Sequence, residues 1–355
     1  MSFTFGIFDS FDQGVQAPGE VLDERLRFAV EAEKLGIDHY HVTEHHGTAL
    51  SVCPSPNIFL AALSQRTTRM RIGALVYVLP AYHILRLTEE IATLDHLSGG
   101  RLEVGVGSGI SPYESAYFGV QSEQMRPVYE ESLQVMLRAL ESGRVQHEGT
   151  LLQDYDVQLS IGPLQCPYPP IWYASSNTRS AIWAAQENVN FVGRWNAGEF
   201  VPAAEEYWRV WQELRGEVDP VQGSTLDLPR VGVSSVLFIG ESDEEALDRY
   251  NAAYGLFGER VTKLWHDHSD YRVDGIASPA RGLELGNAIV GTVDSVRDQL
   301  LAQIEHSPVN YLEVMPYFGD MSYDEARRNL QWFSDHVMPA LRASKDAPLE
   351  EVAAC

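Results

Sequence analysis

What most restricts the fold of this chain is a rhythm, in which short β-rich runs alternate with longer segments of helical period along its length. The runs lie at 3–8, 39–43, 70–78, 101–106, 171–175, 189–192, 231–239 and 309–315 and are dominated by β-branched, aromatic and aliphatic residues. Each is followed by a helical segment. In Val21 to Leu35, for example, Leu22, Leu26, Ala29 and Val30 share one face, and Gly36 closes the helix. Strands separated by helices pair in parallel, and eight is the number at which a parallel ring closes. The expected architecture is therefore one α/β domain over 1–355, a TIM (β/α)8 barrel. An open doubly wound sheet competes with it, but no dinucleotide fingerprint opens the chain.

Two stretches break the rhythm. Residues 145–170, VQHEGTLLQDYDVQLSIGPLQCPYPP, read as a surface hairpin and a proline-rich approach to the fifth strand. Residues 257–290 form a long insertion before the last helix-strand pair, and a connection of that length is expected to be a mobile lid. Its HDH motif, His266 to His268, reads as a solvated loop.

Charge excludes whole classes of partner. With 50 acidic against 26 basic residues the formal net charge is −24, a field that repels nucleic-acid backbones and anionic lipid. An anionic ligand must be held locally, by aimed N–H groups or an arginine. Cys53, Cys166 and Cys355 are an odd number without metal spacing, which favours a reducing compartment. No leader pattern and no apolar run of about 18 residues is present, so the expected location is the cytoplasm.

In a parallel barrel the C-terminal strand ends and the loops after them line the active mouth. The second strand runs into Thr43-Glu44-His45-His46. An imidazole there can exchange protons near neutral pH, or both histidines are simply loop residues. A metal site is the poorer reading, since adjacent histidines on an extended segment point apart. The third strand ends in Leu75-Val76-Tyr77-Val78, aliphatics that can underlie a flat ring or merely fill a core. After the fourth strand, Gly107-Ser108-Gly109 admits close ligand approach or marks an ordinary turn. Ala174-Ser175-Ser176-Asn177, with Ser180, opens the helix after the fifth strand. Hydroxyls, an amide and free N–H groups at a helix start suit a phosphate, although one N-cap needs only one of them.

The run HVTEHHGTALSVCPSPNIFLAALSQRTTRMRIGALVYVLPAYHILRLTEEIATLDHLSGGRLEVGVGSG, followed by PPIWYASSNTRSAIWAAQ and SDHVMPAL, resembles the bacterial-luciferase-like flavin-dependent monooxygenases. The ordered set EHH, VLPxxHxxR and LDxLSGGR carries the resemblance. It implies a TIM barrel that takes reduced FMN from a separate flavin reductase. The flavin reacts with O2 to a hydroperoxide and oxidises a small organic substrate. By match, His45 is the catalytic histidine and His46 its neighbour, with Glu44 before them. Leu75-Val76 stands where relatives carry a non-proline cis peptide beneath the flavin ring, and Ser176, Asn177 and Ser180 fall on the phosphate segment. Ser108 replaces an arginine of the luciferase subunit, so the phosphate grip shifts to N–H groups and hydroxyls, or to Arg179 or Arg194. Relatives that use a deazaflavin as hydride carrier give the rival cofactor, and a non-enzymatic flavin-binding paralogue gives a rival class; the intact EHH favours FMN catalysis. Family habit also implies a homodimer.

Overall fold

Each of the eight runs forms a strand in the computed structural model of the chain, which describes residues 3–12, 14, 16–196, 198–215, 228–305 and 307–346. Cys355 lies outside the described residues. In chain order the strands are β1 (Thr4–Asp9), β2 (His39–Val42), β3 (Arg71–Val78), β4 (Leu102–Gly107), β5 (Arg144–His147), β6 (Tyr155–Gln158) and β7 (Ile171–Ala174). Then come β8 (Asn190–Arg194), β9 (Val231–Ile239), β10 (Ala288–Gly291) and β11 (Tyr311–Met315). The helices are α1 (Pro18–Lys34), α2 (Pro56–Ser64), α3 (Ile84–Leu97), α4 (Pro112–Tyr117), α5 (Met125–Ser142), α6 (Thr178–Gln186) and α7 (Phe200–Arg215). The remainder are α8 (Asp243–Asp267), α9 (Asp274–Ala277), α10 (Pro279–Glu284), α11 (Val293–Glu305), α12 (Tyr323–Trp332) and α13 (Met338–Asp346).

Parallel pairing runs β1-β2-β3-β4-β7-β8-β9-β11 and returns to β1, which closes an eight-stranded barrel ringed by helices. A ninth parallel strand, β10, lies outside the ring. Register explains how it is accommodated. The first part of β9, Val231–Ser234, pairs with β8, whereas Val236–Ile239 pairs with β10. The edge that β8 leaves open is thus taken up by a strand whose first residues belong to the 257–290 insertion.

Alternation along each strand sorts side chains into two shells. Phe5, Ile7, Tyr40, Val42, Ile72, Ala74, Leu102 and Val104 are buried in the apolar core between barrel and helices. Helix stripes complete that layer. In α5, Tyr129, Leu133, Met136 and Leu140 are buried at helical spacing, and Gly143 ends the helix at φ 72°, a left-handed conformation that glycine adopts without a Cβ penalty. The opposite parity, including His39, His41, Glu103 and Glu313, fills the barrel interior.

Residues 145–170 hold the antiparallel pair β5–β6, with Val145 opposite Val157. The 257–290 stretch contains regular structure. Phe257, Val261, Leu264 and Trp265 prolong the apolar stripe of α8, so this helix runs eleven residues past the boundary at 256 that the sequence suggested. Arg260 of α8 donates to the buried Asp12 carboxylate, which also accepts the Gly319 N–H at 3.0 Å, pinning the helix to the loops after β1 and β11. Among the described residues no helix is long and apolar enough to cross a membrane.

Candidate active site

The ring order places β2, β3, β4, β7 and β8 side by side. The residues selected from sequence therefore occupy one continuous arc of the C-terminal rim.

Glu44, His45 and His46 leave β2 at that rim. The Glu44 side chain is fully buried. Its Oε2 accepts the Tyr82 hydroxyl at 2.7 Å and the Val78 N–H at 3.3 Å, and its Oε1 meets His46 Nε2 at 2.8 Å. Burial pushes the Glu44 carboxyl above the ordinary carboxylate range, and the contacts with His46 and Tyr82 only partly offset this. Glu44 thus ties the loop to the end of β3 and fixes His46.

Sequence reasoning missed a second carboxylate, Glu114. Its Oε2 accepts the His46 backbone N–H at 2.7 Å, and its Oε1 lies 3.3 Å from His45 Nδ1. Glu114 sits on α4, a short helix in the ISPYE segment that follows Gly109. Ser111 caps this helix by accepting the Glu114 N–H at 3.2 Å, with Pro112 in its first turn. The spacing Ser-Pro-x-Glu is a helix-start signature and was the available signal. The His45 side chain is 19% exposed, and its Nε2 makes no hydrogen bond with any described residue. A cleft beside it is walled by Val78, Ala81, Ile110 and Phe118.

The wall between β3 and β4 is irregular. The Leu75–Val76 peptide is cis, and the β3–β4 register shifts between Ala74 and Tyr77. Two glycines of β4 make room for this. A Cβ on Gly105 would stand 2.4 Å from the Ala74 carbonyl oxygen, and one on Gly107 would stand 2.6 Å from Val76 Cγ2. Gly107 therefore receives the Val76 side chain, which is half-buried beside the interior cluster of Leu75, Trp172, Val192 and Tyr311. Gly105→Ala is expected to cost about 1–3 kcal/mol through overpacking against backbone. An unchanged urea midpoint would show that β3 yields freely.

Across the arc, β7 runs into α6. Asn177 is the N-cap: its Oδ1 accepts the Ser180 N–H at 2.9 Å, and its Nδ2 donates to Ser175 Oγ at 2.9 Å. Ser176 Oγ accepts the Arg194 backbone N–H at 3.2 Å, joining the ends of β7 and β8. Ala174, Asn177, Arg179 and Arg194 are exposed; Ser175, Ser176, Ser180 and Ser108 are half-buried. The Arg179 and Arg194 guanidinium groups form no ion pair with a described residue. Hydroxyls, N-terminal N–H groups and an unpaired arginine at one rim form a donor set suited to a phosphate. No described hydrogen bond links this set directly to the histidine loop.

Below the rim lies a polar layer that sequence reasoning did not pick out. His41 Nδ1 meets Glu313 Oε1 at 2.8 Å and its Nε2 meets Glu103 Oε2 at 3.0 Å. His39 Nδ1 reaches the same Glu103 oxygen at 3.0 Å, Arg71 Nε donates to Glu103 Oε1 at 2.8 Å, and the Tyr311 hydroxyl donates to Glu313 Oε1 at 3.2 Å. Burial alone would lower the His41 pKa, but its bonds to Glu103 and Glu313 outweigh burial and raise it to about 9. Glu103 is held well below the ordinary range because His39, His41 and Arg71 overcome its desolvation. Ligand-capable atoms of His39, His41 and Glu103 lie within 4.8 Å of one another. Both His41 nitrogens face carboxylates, His39 Nδ1 meets Glu103, and Arg71 holds the second Glu103 oxygen, so these ligand-capable atoms are already engaged in internal hydrogen bonds.

With this geometry in hand, comparisons with known proteins give a consistent result. The family model described as luciferase-like monooxygenase matches residues 3–310. The uncharacterized protein y4wF of Sinorhizobium fredii is 33% identical, over 90% of this chain and 92% of its own length. The oxygenase component of flavin-dependent trigonelline monooxygenase from Acinetobacter baylyi is 24% identical, over 93% and 92%. Among solved structures, the oxygenating constituent of 3,6-diketocamphane monooxygenase from Pseudomonas putida, in complex with FMN, superimposes with a TM-score of 0.73 at 22% identity, covering 96% of this chain and 99% of that one. An F420-dependent secondary alcohol dehydrogenase carrying an F420-acetone adduct gives 0.71 at 19% identity, with 96% and 99% covered.

Proposed function

Because the chain belongs to the luciferase-like monooxygenase family, a family of oxidoreductases, we propose that it is the oxygenase of a two-component system. It takes reduced FMN from a partner flavin reductase and uses O2 to oxidise a small organic substrate. The observation that carries this reading is His45 at the rim, with Nδ1 facing Glu114 and Nε2 free of described partners. Reduced FMN supplies the electrons that activate O2; the protein's part is to hold, orient and protonate.

Leu75 and Val76 would form the wall under the flavin ring, and Ser175, Ser176, Asn177 and Ser180 at the start of α6 would hold its phosphate. Arg194 offsets its charge, which matters in a chain of net charge −24. Glu114 accepts the Nδ1 proton of His45 and so selects the tautomer whose Nε2 holds a lone pair. That nitrogen accepts or returns a proton at the reacting edge. Glu44, buried and bonded to Tyr82 and Val78, keeps the loop from turning away.

The fold accommodates both FMN and deazaflavin carriers, so cofactor choice is decided by binding. Anaerobic titration is expected to show tighter binding of reduced FMN than of reduced deazaflavin F420. The reverse order would replace monooxygenation with hydride transfer, and binding without turnover, when reductase, O2 and a panel of small organic substrates are supplied, would favour a non-catalytic flavin carrier.

A further inference from the structure

One contact between the insertion and the proposed active site is made through Tyr113. Tyr113 on α4 is followed in sequence by Glu114, whose two carboxylate oxygens serve His45 and the His46 backbone. On a helix, neighbouring side chains diverge by about 100°. While Glu114 turns to the histidine loop, Tyr113 turns to the end of α8.

There its ring stacks on His268 with centroids 3.9 Å apart and 17° between planes, and meets the Trp265 edge at 5.4 Å. Its hydroxyl donates to Asp270 Oδ2 at 2.9 Å. Asp270 is in turn gripped by Arg272, at 2.6 Å from Nη2, and the Arg272 guanidinium lies 5.4 Å from the Trp265 ring centroid. The second histidine of the HDH motif, which reads from sequence as a solvated loop residue, is thus a stacking partner.

We propose that Tyr113 is a positioning residue: the clasp it makes with Trp265, His268 and Asp270 sets the seat of α4, and through Glu114 it sets the hydrogen bonding of His45. The insertion is thereby coupled to the proton-handling residue although, among the described residues, it makes no hydrogen bond to His45 itself. Six residues form α4, and a single helical turn and a half has little stability of its own. Its position depends on what it touches at each side. On the loop side these contacts are Glu114 and the edge of Phe118 on His46, at 4.7 Å between centroids. On the α8 side they centre on Tyr113. The catalytic consequence rests on the His45 role proposed above; the coupling itself does not.

The test records nitrogen-15 imidazole spectra of the purified full chain without cofactor, with His45 assigned by its own substitution. Glu114→Gln provides the reference displacement of the His45 ring signals. Tyr113→Ala is expected to move those signals in the same direction, Tyr113→Phe, which keeps the stack and loses the hydroxyl, by less. His268→Ala, at an exposed position, repeats the measurement should Tyr113→Ala not fold. In turnover with reductase, Tyr113→Ala is expected to lower kcat about 10- to 100-fold with reduced-FMN binding unchanged. His45 signals that stay in place in Tyr113→Ala and His268→Ala while moving in Glu114→Gln would overturn the coupling. A protein that binds no reduced flavin would overturn the proposed function and leave the spectral comparison to decide the coupling separately.

Discussion

Replacing His41 with leucine is expected to lower the free energy of unfolding by about 3–5 kcal/mol, the range seen when one member of a buried charged group is removed. His41 is fully buried between two carboxylates, Glu103 at 3.0 Å and Glu313 at 2.8 Å. Without it, Glu103 still has His39 and Arg71, but Glu313 keeps only the Tyr311 hydroxyl as a described partner. An uncompensated carboxylate in the barrel centre is the costly outcome. The double variant His41→Leu with Glu313→Leu should recover much of the loss, because it removes both charges together. A double variant no more stable than the single one would refute this account.

The same residue gives a pH dependence of defined sign. Its pKa is raised from 6.5 to about 9 in the folded chain, so folding favours the imidazolium. That contribution is fully present below about pH 6.5 and fades as pH rises through about 9. The groups facing it are Glu103, Glu313, His39, Trp172 and Tyr311. Urea midpoints measured from pH 6 to 10 should therefore fall toward the alkaline end in the wild type, and less in His41→Leu. Parallel curves for the two proteins would show that His41 does not carry the effect.

The second large effect concerns chemistry. His45→Ala is expected to reduce kcat for oxygenation by about 10²–10⁴-fold, the usual share of a positioned general acid-base group, while anaerobic binding of reduced FMN changes little. The separation follows from position: His45 leaves the end of β2, whereas the phosphate set lies on β7, α6 and β8. Glu114→Gln should cost less, since the imidazole persists and only its orientation and tautomer are freed. Wild-type turnover by His45→Ala with reductase supplied would remove His45 from the proton path. A matching loss of FMN affinity would assign it to binding.

Much of the fold was legible because its signals are local. Period-2 and period-3.6 patterns, Gly36 as a helix end, and the spacing of eight runs require only neighbours along the chain. The overrun of α8 past residue 256 was hidden because Phe257, Val261, Leu264 and Trp265 occur in a stretch without a stop signal, where length argued for a loop. Strand β10 was hidden because Ala288–Gly291 is four residues long, below what pattern alone distinguishes from a turn.

The EHH loop, the Leu75-Val76 segment and the Ser175–Ser180 segment were visible in sequence because each is a contiguous motif at a strand end. Glu114 was not, since its partner loop is 68 residues away at His46. Nor was the interior layer: His41 and Glu313 are 272 residues apart, and only ring closure between β1 and β11 makes them neighbours. By itself the sequence determined which faces are apolar, where chain direction reverses and which motifs reach the rim, because burial and turn geometry act over a few residues. Tertiary structure alone decided which ionisable groups meet, because charge pairing depends on distance in space and the barrel sets those distances by register.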